Sequence, residues 1–491
     1  MSASLVVIGD SLSQGVQSGA ISKTDQSYPF LIADALGAPA FRVPDFHGAG
    51  GMPINLENLF RMLSQRYGEK ISWYELLQAG LSVHSFLDRL EDYWERGEGT
   101  KASDTGPMHH NLAVWGFELV DCDTLSERTC KISMPTPQDH ILPWNEIPEF
   151  AMYRTARRTL NPSFHPDCSN LTQIQLAKKI ADEEGGIDNL IVFLGANNCL
   201  GTSTSLNIQW SDEVDLNRLA HQRTCTLWKE EHFKRLYEGI APKIDDVGAN
   251  HVLVGTVPHV TILPVIRGVS TDRSPFGRQD DEGYFEYYTY FWVWDEDFQK
   301  NPDGFPYLSR AEARTIDDTI DSYNKIITEE ARVRGWHVVD TCSMLDQMAF
   351  RRQRGNTQYA FPAGLVEAIK NNPDTRHRYI DDDRIILDTR YLHEDTTQAE
   401  PISRYQGGIF SLDGIHSTRV GYAVVAHEFI KVMKTAGVHF AKDLDWDAIV
   451  RTDLLLTELP ANLKNLRDTL GFLSSKTPIL KLIRALGSAF D

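Results

Sequence analysis

"VVIGDSLSQG", residues 6–15, opens with a short apolar run that breaks at Gly9-Asp10-Ser11. A run of this length ending in Gly and Asp reads as a buried strand followed by a tight turn. Four later stretches share the design: "NLAVWG" 111–116, "NLIVFLG" 189–195, "HVLVGTV" 251–257 and "WHVVD" 336–340. Helical patterns alternate with them. "YPFLIADALG" 28–37 closes on Gly37, and "CSNLTQIQLAKKIADEEGG" 168–186 runs from capping residues to glycines. "TIDDTIDSYNKIITEEARVRG" 315–335 also ends in Gly, and "STRVGYAVVAHEFIKVMKTAG" 417–437 starts on Ser or Thr and stops at Gly437. Strand alternating with helix implies a parallel sheet covered by helices, an α/β fold.

Residues 38–108, 200–230, 271–312 and 345–408 exceed ordinary connections and read as insertions on one α/β domain spanning 1–437. Residues 438–491 read as an appended helical segment, because "LLLTELPANLKNLRDTLGFL" and "PILKLIRALGSAF" are amphipathic. The chain has 491 residues and a formal net charge of −19, which argues against nucleic acid or an anionic membrane as an electrostatic partner. No apolar run has the length of a membrane span. The first strand begins almost at the N-terminus, which leaves no room for a signal peptide and sets a cytoplasmic expectation.

Ser11 at a strand end is either a turn serine or a nucleophile. A nucleophile requires a base, an orienter for the base, and donors for an oxyanion. "FSLDGIHSTRVGY", 410–422, places Asp413 three residues before His416 in a tight turn ahead of a helix. There the carboxylate can accept from one imidazole nitrogen while the other faces a nucleophile. "FLGANN", 193–198, sets Gly195 and Asn197 just past a strand, where a side-chain amide can donate to a developing oxyanion. Gly116 ends another strand and can bring a backbone N–H close to substrate. In an open parallel sheet these strand ends share one rim, where ligands bind.

These residues resemble the SGNH hydrolases, also called the GDSL esterases and lipases. Gly9-Asp10-Ser11-Leu12-Ser13 looks like the first block of that family, Asn111–Gly116 the second, Gly195-Ala196-Asn197-Asn198 the third and Asp413-Gly414-Ile415-His416 the last. Thr256-Val257-Pro258-His259-Val260-Thr261 is similar to a segment of the lipase-like members. The resemblance implies a three-layer α/β/α sandwich related to flavodoxin, with about five strands. It implies a Ser11–His416–Asp413 triad, an oxyanion hole from Ser11, Gly116 and Asn197, support from Asp10 and Asn198, and neither cofactor nor metal. The third block of the family usually ends in Asp, where this chain has Asn198, whose amide can also hydrogen-bond. Gly80, in "LLQAGLSVHS", rivals Gly116 as the oxyanion glycine. The substrate class implied is a small-molecule ester, lipid-like or otherwise apolar in its acyl part. An acyltransferase with the same triad and a non-catalytic binding protein on the same fold are the alternatives.

Four features fall outside that pattern. Eight of residues 284–294 are aromatic; a hairpin core is the preferred reading, ahead of a lid over an acyl pocket. Arg351-Arg352-Gln353-Arg354 reads as a solvated helix face, and Asp381-Asp382-Asp383 as a solvated turn. The six cysteines read as free thiols, although Cys122 and Cys130 are close enough in sequence to pair.

Overall fold

A computed structural model describes residues 2–465 except 39, 73, 104, 105, 107, 138–146, 271–277, 382 and 383. It is an α/β protein. Its centre is a four-stranded parallel sheet of β1 (Val6–Gly9), β2 (Asn189–Phe193), β3 (His251–Gly255) and β4 (His337–Val339), in the order β1-β2-β3-β4. Val7 pairs with Ile191, Ile191 with Leu253, and Leu253 with His337, so the strands run in step. Nearly every residue of β1, β2 and β3 is buried, as a parallel sheet with covered faces requires.

The stretch 111–116 was expected as a strand and is instead an edge segment. It bridges β1 only at Val7↔Asn111, with Val7 N–H donating to the His110 carbonyl at 2.9 Å and Leu112 and Val114 N–H donating to Val7 and Gly9 at 2.9 and 3.1 Å. These bonds satisfy the free edge of β1, after which the chain turns at Gly116, φ 79°.

The expected helices form, though not all of them at the expected ends. α1 is the single turn Ser11–Gln14, and α2 (Tyr28–Leu36) ends at Gly37 with φ 73°. α3 (Gln173–Glu184) starts at a Thr172/Gln175 capping box and ends at Gly185. α4 is Asn197–Ser205, and α5 (Arg310–Arg334) starts at a Ser309/Glu312 capping box, earlier than the sequence pattern implies. α6 is Thr341–Met348, and α7 (Arg419–Thr435) has Thr418 as its N-cap. Small antiparallel sheets complete the chain. One joins Ile266–Gly268, Tyr287–Tyr290 and Leu308–Ser309.

The aromatic stretch folds into this last sheet. Phe285, Tyr288, Tyr290, Phe291 and Phe298 are buried there, which matches the packing reading. The basic cluster is a correction. Residues 351–355 form a turn, not a helix face. Arg352 reaches inward to Asp317 at 2.8 Å, because that buried carboxylate needs a cation. Of the acidic triplet, Asp382 and Asp383 lie outside the described residues. All six cysteines are free thiols.

The described part of the appended segment packs on the chain. Asp453 accepts from Val420 N–H at 2.9 Å, at the N-terminus of α7, and Asn462 donates to the Phe60 carbonyl at 3.0 Å. Of its longer helical pattern, the residues up to 465 form a short helix, Leu454–Thr457, and a 3₁₀ turn, Ala461–Asn465, and the rest lies outside the described residues. "PILKLIRALGSAF" lies outside the described residues. No described helix is long and apolar enough to cross a membrane.

Candidate active site

Each strand of the central sheet delivers the residues just past its C-terminal end to one cavity. Ser11 and Leu12 follow β1, Ala196 and Asn197 follow β2, Pro258 and Val260 follow β3, and Thr341 and Met344 follow β4. His416 and Ile415 enter the same cavity from the loop before α7. The remaining wall is mostly apolar, including Leu200, Leu263, Leu345 and Met348.

Ser11 is the first residue of α1. Asp10 caps that turn, its carboxylate accepting from Leu12 N–H at 3.0 Å, and Ser11 itself is 4% exposed. Burial pushes the Asp10 carboxyl up to about 7, against the pull of the Leu12 N–H and the His416 charge. Gln14 ties the turn to the edge segment: its carbonyl accepts from Trp115 N–H at 2.8 Å and its amide donates to Thr159 at 3.0 Å. Asn111 donates to the Ser13 carbonyl at 2.8 Å, and Gln173 donates to the Gly9 and Leu112 carbonyls at 2.9 and 2.7 Å.

Asp413 and His416 sit as the short loop allows. Asp413 Oδ2 is 2.9 Å from His416 Nδ1, while Oδ1 accepts from the N–H groups of Ile415 and His416, each at 2.8 Å. Oδ2 also accepts from Gly19 N–H at 2.5 Å, nearly four hundred positions away. Burial works to raise the Asp413 carboxyl, but the His416 charge and hydrogen bond, with these backbone donors, outweigh it and hold it below the usual range. With Nδ1 on the carboxylate, Nε2 points away from it. That Nε2 is buried and has no hydrogen-bond partner among the described residues. Ser11 and His416 therefore face one cavity with no Ser–His hydrogen bond formed, a spacing common before a ligand binds.

Three further contacts lock the base loop to the segment after α1. Ser18 N–H donates to Ser411 Oγ at 2.7 Å, Leu412 N–H donates to Ser18 Oγ at 3.3 Å, and Tyr422 donates to the Val16 carbonyl at 2.6 Å. Gly414 must be glycine: its φ is +70°, and a Cβ there would lie 2.7 Å from Val265 N.

Asn197 opens α4, half-buried at the cavity wall, and one of its amide hydrogens goes to the Phe117 carbonyl at 2.9 Å. The other has no acceptor among the described residues. Asn198 accepts from Leu119 N–H at 3.0 Å, so it supports the same loop as an amide. Gly116 lies between Trp115, held by Gln14, and Phe117, held by Asn197. The N–H groups of Ser11 and Gly116 have no acceptor among the described residues. Gly80 sits inside the helix Leu76–Glu95, where the backbone ladder uses its N–H, so it is not brought to this rim.

Gln14, Asn111, Gln173 and Gly19 are the supporting residues that sequence reasoning missed. Gln14, Asn111 and Gln173 each bond a backbone group with a side-chain amide, and Gly19 gives its own N–H to Asp413, roles that leave no mark in residue type or spacing. A second missed cluster flanks the cavity. His259, Cys342 and Asp346 place ligand atoms within 4.8 Å of one another, a set able to hold a metal ion. His259 Nδ1 lies 3.0 Å from Asp346 and its Nε2 3.3 Å from Asp321. Burial lowers the His259 imidazole, but the Asp346 hydrogen bond outweighs it and the group is pushed up to about 11. As it stands the cluster is a buried imidazolium held between carboxylates.

None of the aromatic residues of 283–298 lines the Ser11 cavity. No protein-family model matches the chain, and the comparison with curated proteins gives no match.

Proposed function

We propose that this chain is a serine ester hydrolase of the SGNH type, acting on esters with apolar acyl groups. The observation that carries the reading is the convergence of Ser11, Asn197 and His416 on one apolar cavity, with His416 Nδ1 held by Asp413 and Nε2 unbonded. On this reading the four strands, with the edge segment beside β1 as a fifth, form the middle layer of a flavodoxin-related sandwich. His416 Nε2 takes the Ser11 proton as Oγ attacks the acyl carbon. Asp413 fixes the tautomer and stabilises the imidazolium. The oxyanion is met by the Ser11 and Gly116 N–H groups and the remaining Asn197 amide hydrogen. The alcohol leaves with the proton from His416. Water, deprotonated by His416, then cleaves the acyl-enzyme.

The acyl group lies against Leu200, Leu263, Met344, Leu345 and Met348 rather than against the aromatic sheet. Flexible Met side chains suit chains of varied shape. Deep burial of Ser11 and His416, at 4% and 1% exposure, also favours a second reading, in which an alcohol replaces water as acceptor. A fluorophosphonate probe tests the nucleophile: wild type is expected to be labelled at Ser11, and Ser11→Ala not at all. Folded wild type that resists labelling would leave only a binding protein. Product analysis of p-nitrophenyl esters with and without added alcohols separates hydrolysis from acyl transfer.

A further inference from the structure

We infer that a second cavity, of about 380 Å³, binds a small organic anion, an acidic group carried on an apolar ring-bearing body. This cavity shares no lining residue with the Ser11 cavity. Four arginines line it, and three are neutralised locally. Arg267 is 2.7 Å from Asp295, Arg352 is 2.8 Å from Asp317, and Arg390 is 2.7 Å from Asp388. Arg351 differs. It donates to the Gly268 carbonyl at 2.9 Å, and no carboxylate of a described residue lies within 4.0 Å of it.

A guanidinium cannot shed its proton near neutral pH, and a half-buried one is stabilised by a counter-charge. The surface Arg351 retains opens onto this cavity. The other acidic lining groups do not serve it. Glu296 is exposed, and Asp395 is turned to Thr397, accepting from its N–H at 3.0 Å. Burial, Arg267 and Arg390 push Arg351 down to about 10, and the more distant Asp295 and Asp388 carboxylates, each paired to its own arginine, do not outweigh them. A carboxylate or phosphate ester presents the paired oxygens a guanidinium fork accepts. The rest of such a ligand meets aromatic walls, with Phe291 and Tyr391 stacked at 3.9 Å and Phe285 and Tyr288 beside them. The inference stands independently of the esterase reading.

Calorimetric titration of the full chain with benzoate, phenyl phosphate, inorganic phosphate and benzyl alcohol tests it. Saturable binding of benzoate or phenyl phosphate is expected, with benzyl alcohol silent and inorganic phosphate weaker. The preferred aryl anion shows whether carboxylate or phosphate is the group recognised. Arg351→Met should weaken that binding roughly tenfold or more, and Arg351→Lys should retain part of it. Wild type that binds neither aryl anion overturns the proposal, as does Arg351→Met binding equally well. Inorganic phosphate binding as tightly as phenyl phosphate would overturn the apolar body. Crystals of wild type soaked in 4-bromobenzoate need no variant: the bromine signal is expected beside Arg351, and a signal confined to other sites refutes the assignment.

Discussion

The two cavities share one segment, residues 258–266, and treat polar groups in opposite ways. Pro258, Val260 and Leu263 face the Ser11 cavity, while Thr261, Ile262 and Pro264 face the arginine cavity. In the first, the walls are apolar and the few polar groups keep bonding capacity that no described residue uses: His416 Nε2, the Ser11 N–H group, and half of the Asn197 amide. In the second, charges are dense and nearly all are paired. Unmade hydrogen bonds in a buried apolar space cost free energy, so a fold that keeps several together is prepared for a reacting group. Dense pairing instead holds irregular insertions together, and Arg351, with no carboxylate partner among the described residues, stands out against it.

The comparison can be broken most forcefully at the base. His416→Ala should lower ester turnover roughly ten-thousand-fold or more, measured with p-nitrophenyl esters of increasing chain length. Activity surviving that change would remove the first cavity from catalysis. Asn197→Ala should cost roughly a hundred- to a thousand-fold in kcat with KM little changed, since the amide acts on charge that develops only in the transition state. An equal rise in KM would make Asn197 a ground-state contact.

The second region should respond in stability. Asp317 is 2% exposed and is met by Thr261, Tyr284 and Arg352, each at 2.8 Å. Arg352→Met strands that carboxylate and should cost about 3 kcal/mol in urea unfolding. Loss of the exposed Lys101–Glu98 pair should cost almost nothing. Gly414→Ala, which forces a Cβ against Val265 and holds alanine at positive φ, should cost about 2 kcal/mol by the same measurement.

A dependence on pH sharpens the electrostatics beside the first cavity. The folded chain holds Asp10 protonated up to about pH 7, whereas the unfolded chain releases that proton in the ordinary aspartate range. The stability contributed by the neutral carboxyl is therefore fully present below that range and is lost as pH rises through about 7. Asp10→Asn keeps a capping side chain and removes the titration. Its urea midpoints at pH 5 and pH 8 should differ less than those of wild type. An unchanged difference would mean that another group sets the slope.

Much of the sheet was legible because a buried parallel strand must be a short apolar run ended by turn residues. The edge segment 111–116 shows the limit. Its residues suit a strand, but it lies beside β1 alone and turns away at Gly116 after a single bridge. The arginine turn at 351–354 was misread because charge in a local window looks solvated. Only the distant Asp317, buried on α5, draws it inward. Gly116 is preferred to Gly80 on the fuller Asn-x-Ala-x-x-Gly pattern around it, and only the tertiary structure places Gly80 inside a helix and Gly116 between residues held by Gln14 and Asn197.

The sequence by itself determined the strand ends, the helix caps, and the Asp413–His416 pairing, since three residues and a glycine turn suffice to bring that carboxylate to that imidazole. Local geometry follows from neighbours in the chain. Only the tertiary structure decided that Gly19 N–H would steady Asp413, that Met344 and Met348 rather than the aromatic run would wall the Ser11 cavity, and that Arg351 would find no carboxylate among the described residues. These depend on which distant segments pack together, and packing is settled by the burial of whole faces rather than by any short stretch.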